Sequence, residues 1–427
     1  MRAEARLAFP VAVALVVAGY ATLVGWDVFH YDWLRGYDAY ANSLYTDVVR
    51  LHHRLPSTTE TSVWHTPPLF FVVAALLNSH RAVQVLDGLA GLAVVVLAGL
   101  IARELWPRSR WIQLGTVAFA ALTPVLTRTA VMYHPEPLAT ALAVGGLYVV
   151  VRSLVRGRTG PWSGALAGLL FGLGTLTRTW ALALAAASTI ALALQARVDR
   201  DRRPLWSAAA LVVVLLVLSL PWFVNQTRAH GSPFAFNRPA PHESFFSRRP
   251  ASFYTSLDVG AVYSNPYAPN YLNHLWPVVY SDWWGDYWRY FDIPAENIST
   301  PPELPSKYER PRVWQSYVGI LPSLFAVAGF VGLLVVGIRR RDVAVLLIPA
   351  SIVLLGLTFL VFQISYPHPD GDTIKAAYLL DAVAPLAVCA AWALSFLRRA
   401  GRLVIMAAML PLVYAVALDV NFLVLPS

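Results

Sequence analysis

The chain has 427 residues, of which 57% are hydrophobic and only 13% charged, and its mean hydropathy is +0.54. A soluble protein carries roughly a quarter charged residues, so the composition excludes a soluble enzyme and implies a polytopic membrane protein. The formal net charge of +9 would suggest nucleic acid as the partner of a soluble chain. In a membrane protein, excess arginine marks cytoplasmic loops instead, and no nucleic-acid partner is expected.

Residues 7–25 form an apolar run of about the length that crosses a bilayer core, preceded by Arg2 and Arg6. Gly25-Trp26-Asp27 makes a poor cleavage site, so a retained helix is expected rather than a removed signal. The first exterior loop, 26–66, follows and contains Gly36-Tyr37-Asp38-Ala39-Tyr40, and it ends in His65-Thr66-Pro67-Pro68. The apolar piece 67–79 begins with two prolines and is too short to span, which predicts a re-entrant or interfacial helix. Further spans are expected near 82–102, 111–127, 135–151, 162–177, 180–196, 205–223, 316–337, 343–362, 376–397 and 403–422, giving about eleven in all.

With 67–79 returning to its own side, every short arginine cluster falls on one face, as the positive-inside tendency requires. These clusters are Arg103/Arg108/Arg110, Arg152/Arg156/Arg158, Arg197/Arg200/Arg202/Arg203, Arg339/Arg340/Arg341 and Arg398/Arg399/Arg402. The expected layout is a transmembrane module over 1–223, an exterior loop over 224–315 and C-terminal spans over 316–427. The N-terminus is expected in the cytoplasm of a plasma-membrane protein. Cys389, the one cysteine, lies in an apolar run, so the exterior loops hold no disulfide.

The exterior loop is rich in aromatic residues, among them Trp276, Tyr280, Trp283-Trp284, Tyr287-Trp288 and Tyr290-Phe291. Such side chains serve as an interfacial belt, or they contact a substrate by stacking on sugar rings. Asn225-Gln226-Thr227 and Asn297-Ile298-Ser299 match the glycosylation pattern, which is common by chance.

The topology gathers ionisable residues at the outer helix ends, where groups at membrane depth mark a functional cavity. Asp38 is either a helix cap or a base for an attacking hydroxyl. His65 sits at the membrane surface, donates to a phosphate, or ligates a metal. His134-Pro135-Glu136 reads as ordinary helix-start chemistry, or as half of a divalent-metal set completed by Asp38 and His65. Arg128, Arg178 and Lys375 either snorkel or converge on an anionic, lipid-linked phosphate. Asp87 and Asp381 pair with such cations or with backbone groups.

Several of these pieces together resemble the GT-C membrane glycosyltransferases, in the branch of dolichyl-phosphate-mannose protein mannosyltransferases and aminoarabinose transferases. They are Gly36-Tyr37-Asp38-Ala39, His65-Thr66-Pro67-Pro68-Leu69, the turn from Arg128 to Glu136, Gly172-Leu173-Gly174-Thr175-Leu176-Thr177-Arg178, Pro221-Trp222-Phe223 with His230-Gly231-Ser232-Pro233, and Lys375-Ala376-Ala377-Tyr378-Leu379-Leu380. The resemblance implies an all-α polytopic fold and transfer of a sugar from a polyprenyl-phosphate donor to an acceptor hydroxyl on a lipid, polysaccharide or protein. Transfer would occur at the extracytoplasmic face with inversion. It implies that Asp38 is the catalytic carboxylate, and that Lys375 and Tyr378 face the lipid phosphate. The family's late motif carries Arg and Pro where this chain has Ala377 and Asp381, leaving Lys375 and Arg178 for the phosphate. The family's Asp-Glu pair is reduced to Asp38-Ala39, so no cofactor is certain and a divalent metal stays a candidate. Arg128, His65, His134, Glu136 and Tyr40 complete the candidate binding set. The alternative readings are a transporter or flippase of an anionic lipid-linked substrate and a non-catalytic subunit of an envelope-assembly complex.

Overall fold

A bilayer core offers backbone N–H and C=O groups no water, so an apolar chain of this kind satisfies them inside helices. The computed structural model describes residues 4–236, 249–290, 306–366, 373–400, 409, 410, 413, 414 and 417, and its regular structure is helical throughout. Among the described residues, eight helices are long and apolar enough to cross a membrane.

The chain starts with α1 (Glu4–His30) and passes through two shorter helices, α2 (Ala39–His52) and α3 (Leu69–Leu77), before α4 (His80–Leu105). With nine residues α3 is roughly 14 Å long, so it cannot span, as its two leading prolines imply. The predicted span at 111–127 is not one helix. It divides into α5 (Arg110–Ala121) and α6 (Pro124–Thr129), because Pro124 forces Thr123 before it into an extended conformation, φ −80° and ψ 112°. Then come α7 (Glu136–Val155), α8 (Pro161–Thr177), α9 (Ala181–Asp199) and α10 (Arg203–His230). The 17 residues of α8 measure roughly 26 Å, at the short end of the range of helices that cross a bilayer. The broken α5–α6 segment, the short α8 and 403–422, most of which lies outside the described residues, are the three expected spans not among these eight.

The remaining helices are α11 (Ala251–Thr255), α12 (Val259–Ser264), α13 (Leu275–Trp284), α14 (Ser306–Val318), α15 (Ile320–Arg340), α16 (Val343–Ser365) and α17 (Val383–Leu394). A 3-10 turn, Ala376–Ala382, leads into α17. That last span is the central one, with 72% of its most apolar window covered by protein, against 11% for α1.

The exterior segment departs most from expectation. Trp283, Trp284 and Tyr287 are buried in the protein, at 8%, 3% and 0% exposure, and therefore form neither a headgroup belt nor an open stacking platform. Two indoles of this run are bonded internally: Trp284 Nε1 donates to Ser323 Oγ at 2.9 Å and Trp288 Nε1 to the Ile374 carbonyl at 2.9 Å. Asn225-Gln226-Thr227 lies inside α10, while Phe291, Asn297-Ile298-Ser299 and Arg402 fall outside the described residues.

Close packing uses small residues. A Cβ on Gly164 or Gly168 of α8 would collide with the main chain of α10 at Ser207 and Leu211, a backbone approach typical of membrane helix pairs. Gly168→Leu is expected to cost about 1–3 kcal/mol or more through overpacking, lowering the thermal unfolding midpoint in detergent. Gly19→Leu in α1, where a side chain meets open space, should leave that midpoint unchanged.

Candidate active site

The last residues before α2 place the first acid. Gly36 has φ 100° and sits against Met132, close enough that a Cβ would touch it, so the turn needs a glycine. Asp38 is itself left-handed, φ 54° and ψ 15°, and its side chain makes no cap bond to α2. The carboxylate is directed elsewhere. Its Oδ2 accepts from Lys375 Nζ at 3.0 Å, across 337 residues of sequence. Lys375 is extended backbone just ahead of the 3-10 turn. Its side chain is 2% exposed, against 28% for Asp38. The ammonium lies 5.4 Å from the ring centre of Tyr37 and 6.0 Å from that of Tyr378.

A second ionic group stands beside the first. Arg178, at the C-terminal end of α8, pairs through Nε with Glu136 Oε1 at 2.8 Å, donates from Nη1 to Thr66 Oγ1 at 3.3 Å and lies 5.9 Å from the Tyr378 ring centre. His134 Nδ1 pairs with the other oxygen of Glu136. The two transmembrane acids left unassigned by sequence both hold structure: Asp87 accepts from the His134 backbone N–H at 3.3 Å, and Asp381 from Thr140 Oγ1 at 2.6 Å.

These elements enclose a cavity of about 340 Å³. Asp38, His65, Arg178, Lys375 and Tyr378 line it, together with aromatic side chains that include Trp180, Trp222, Phe236, Phe362 and Tyr366. Of the other predicted site residues, His134 and Glu136 are buried at 0% and 2% exposure and stand behind Arg178. Arg128 is not in the lining; it is 3% exposed and donates from Nη2 to the Asp282 carbonyl at 2.9 Å. Tyr40 points away from the cavity and is 63% exposed, because it follows Asp38 by two residues on the first turn of α2 and faces the other side.

Electrostatics separate the roles. Burial pushes the Asp38 carboxyl up, but the Lys375 ammonium, followed by His134 and Arg178, outweighs it and holds the group at about 2. The acid is therefore ionised throughout the physiological range. Burial, reinforced by the Arg178 charge, holds the His65 imidazole down at about 4, so His65 is neutral at pH 7 and acts as a hydrogen-bonding group rather than as a cation.

The sequence missed Asp282, which α13 brings in from the exterior segment. Tyr37 Oη donates to its Oδ1 at 2.8 Å and the Ala376 N–H to its Oδ2 at 2.7 Å. The only signal was an acid inside an aromatic run, Ser281-Asp282-Trp283-Trp284. Nothing local distinguishes it from a solvated loop acid.

The donor set does not fit a divalent cation. Asp38 is engaged by Lys375, and both oxygens of Glu136 are engaged by Arg178 and His134. Among the described residues no group of three or more His, Cys, Asp or Glu side chains converges to hold a metal ion.

The architecture is that of an all-helical polytopic membrane protein. Residues 65–222 match the family described as dolichyl-phosphate-mannose-protein mannosyltransferase. The fold is similar to that of the oligosaccharyltransferase of Archaeoglobus fulgidus in complex with Zn and sulfate, with a TM-score of 0.53 and 15% identity over 96% of this chain and 52% of that one. The same enzyme tethered to an acceptor peptide gives a TM-score of 0.51 and 13% identity over 96% and 54%. ArnT from Cupriavidus metallidurans bound to undecaprenyl phosphate gives a TM-score of 0.49 and 17% identity over 90% and 60%. The chain thus spans 52% to 60% of the length of these solved structures. No curated protein matches it in sequence.

Because ammonium and guanidinium groups already neutralise the carboxylates, turnover is expected to persist in EDTA. A sugar-transfer assay run with and without chelator, and with added Mg²⁺ or Mn²⁺, checks this; loss of turnover restored by metal would contradict it.

Proposed function

We propose that this protein is a membrane glycosyltransferase that moves a sugar from a polyprenyl-phosphate donor to an acceptor hydroxyl at the extracytoplasmic face, with inversion at the anomeric carbon. The observation that carries the reading is the meeting of Asp38, Lys375 and Arg178 in one cavity whose walls continue onto the apolar spans α10 and α16. A carboxylate, two fixed cations and an apolar wall match the three parts of such a reaction: an acceptor proton to remove, an anionic leaving group to hold, and a prenyl chain to keep in lipid.

In this mechanism the donor phosphate lies against Lys375 and Arg178, which stabilise its charge as the sugar–oxygen bond breaks and the electron pair goes to the phosphate. The acceptor oxygen attacks the opposite face of the anomeric carbon, and its proton passes to Asp38. A carboxyl held at about 2 is a poor base, and the pairing with Lys375 is what makes it poor. A bound phosphate competes for the same ammonium, so donor binding weakens that pairing and raises the basicity of Asp38 when the base is needed. His65, neutral and lining the same cavity, is placed to hydrogen-bond the sugar or the phosphate.

Helix direction supports the face assignment. The cavity is built from the start of α9 and the ends of α8, α10 and α16, with the start of α7 behind Arg178. The clusters at Arg152/Arg156, Arg200/Arg203 and Arg339/Arg340/Arg341 occupy the opposite ends, which the positive-inside tendency puts in the cytoplasm.

Asp38→Asn should lower transfer by about 10²- to 10⁴-fold, read with purified protein in lipid, a panel of prenyl-phosphate sugars and membrane extract as acceptor. Binding of sugar-free prenyl phosphate should hold or tighten, since the acid that competes for Lys375 has lost its charge. Normal turnover in this variant sinks the assignment.

A further inference from the structure

We infer that Asp282 is a positioning residue that sets the distance between Asp38 and Lys375 by holding the chain next to each of them at once. The inference rests on the transferase reading for its catalytic consequence, but the geometric claim stands on its own observations.

Neither partner of the Asp38–Lys375 pair sits on a regular helix. Asp38 occupies a left-handed position after a glycine turn, where no helical ladder fixes the segment from 36 to 38. Lys375 is the extended residue ahead of a 3-10 turn whose first N–H groups lack acceptors within the turn. Asp282 meets both needs with a single carboxylate. Oδ1 takes the hydroxyl of Tyr37, the residue before Asp38, at 2.8 Å, and Oδ2 takes the N–H of Ala376, the residue after Lys375, at 2.7 Å. These contacts bridge 245 and 94 residues of sequence. The carboxylate is 1% exposed, and burying such a group is costly unless its oxygens are bonded. Arg128 holds the same residue from behind, at its backbone carbonyl. The Tyr37 ring also lies 5.4 Å from the Lys375 ammonium, so one side chain touches both arms of the arrangement.

Asp282 is thus a brace between the first loop and the late motif, delivered by a segment in which Trp283, Trp284 and Tyr287 are buried. A misplacement on the order of 1 Å at the reacting groups costs about 10²-fold in rate, and removing the brace allows one of that size.

Asp282→Ala and Asp282→Asn separate bonding from charge. In Asp282→Asn the side-chain carbonyl takes the Ala376 N–H while the amide donates to the Tyr37 oxygen, so both bridges survive without the charge. We expect Asp282→Ala to lower kcat about 10²-fold, Asp282→Asn to restore at least a tenth of wild-type turnover, and Tyr37→Phe, which cuts one arm, to fall between them. The second readout needs no turnover. Asp38→Cys with Lys375→Cys is cross-linked by a short bis-methanethiosulfonate, which forms a disulfide to each thiol and releases methanesulfinate, Cys389 being buried and the one natural cysteine; the yield should drop several-fold on adding Asp282→Ala and return with Asp282→Asn. Thermal unfolding in detergent accompanies both. Cross-linking unaffected by Asp282→Ala, Asp282→Asn as impaired as Asp282→Ala, or full activity in Tyr37→Phe overturns the positioning role. A normal cross-linking response in a protein that transfers no sugar overturns the transferase reading instead and leaves the brace standing.

Discussion

The contact between Asp38 and Lys375 is the constraint on which the rest of the site depends. Two opposite charges, 3.0 Å apart and 337 residues distant in sequence, join the first loop to the late motif at the cavity. Taking a lysine almost wholly out of water costs several kcal/mol unless a counter-charge and further contacts compensate. Here the compensation comes from the carboxylate and from the faces of Tyr37 and Tyr378. The neighbouring Glu136 follows the same logic, with Arg178 on one oxygen and His134 on the other.

Around that pair the fold assigns its parts by depth. The long spans supply apolar surface and close backbone packing, as at Gly164 and Gly168 against α10. The breaks between helices supply the chemistry: the glycine turn at 36–38, the Pro124 interruption, the end of α8 at Arg178 and the extended stretch before the 3-10 turn. Irregular backbone at this depth is tolerated where it lines a cavity or is bonded to protein. Gln84 illustrates the second case, its amide donating to the Val131 carbonyl at 2.8 Å within the link between α6 and α7. The polar residues of α4 therefore support the site without touching it.

The exterior segment has a structural task that its composition concealed. Trp283, Trp284 and Tyr287 pack inward and carry Asp282 and Asp286 with them into the protein. An aromatic run reads the same from sequence whether its rings meet lipid headgroups, a sugar or other helices, because the apolar face of each ring satisfies all three. Only the partners differ, and those are set by chain folding.

Much of the fold was legible in the sequence, since a bilayer leaves few options: apolar runs of about twenty residues become helices, and paired prolines at 67–68 prevent one. Where local chemistry is ambiguous the reading missed a break, as at 111–127, where Pro124 divides the run into α5 and α6. The sequence by itself determined the helical class, the short α3, the clustering of arginine in the short links between helices, and the identity of Asp38, His65, Arg178, Lys375 and Tyr378 as candidates. Tertiary structure alone decided that those five share a cavity, that Arg128 and Tyr40 do not reach it, and that Asp282 braces it. Hydropathy and helix periodicity act over neighbouring residues and are written along the chain. Which helix ends meet depends on packing between segments hundreds of residues apart, for which a single sequence carries no local signal.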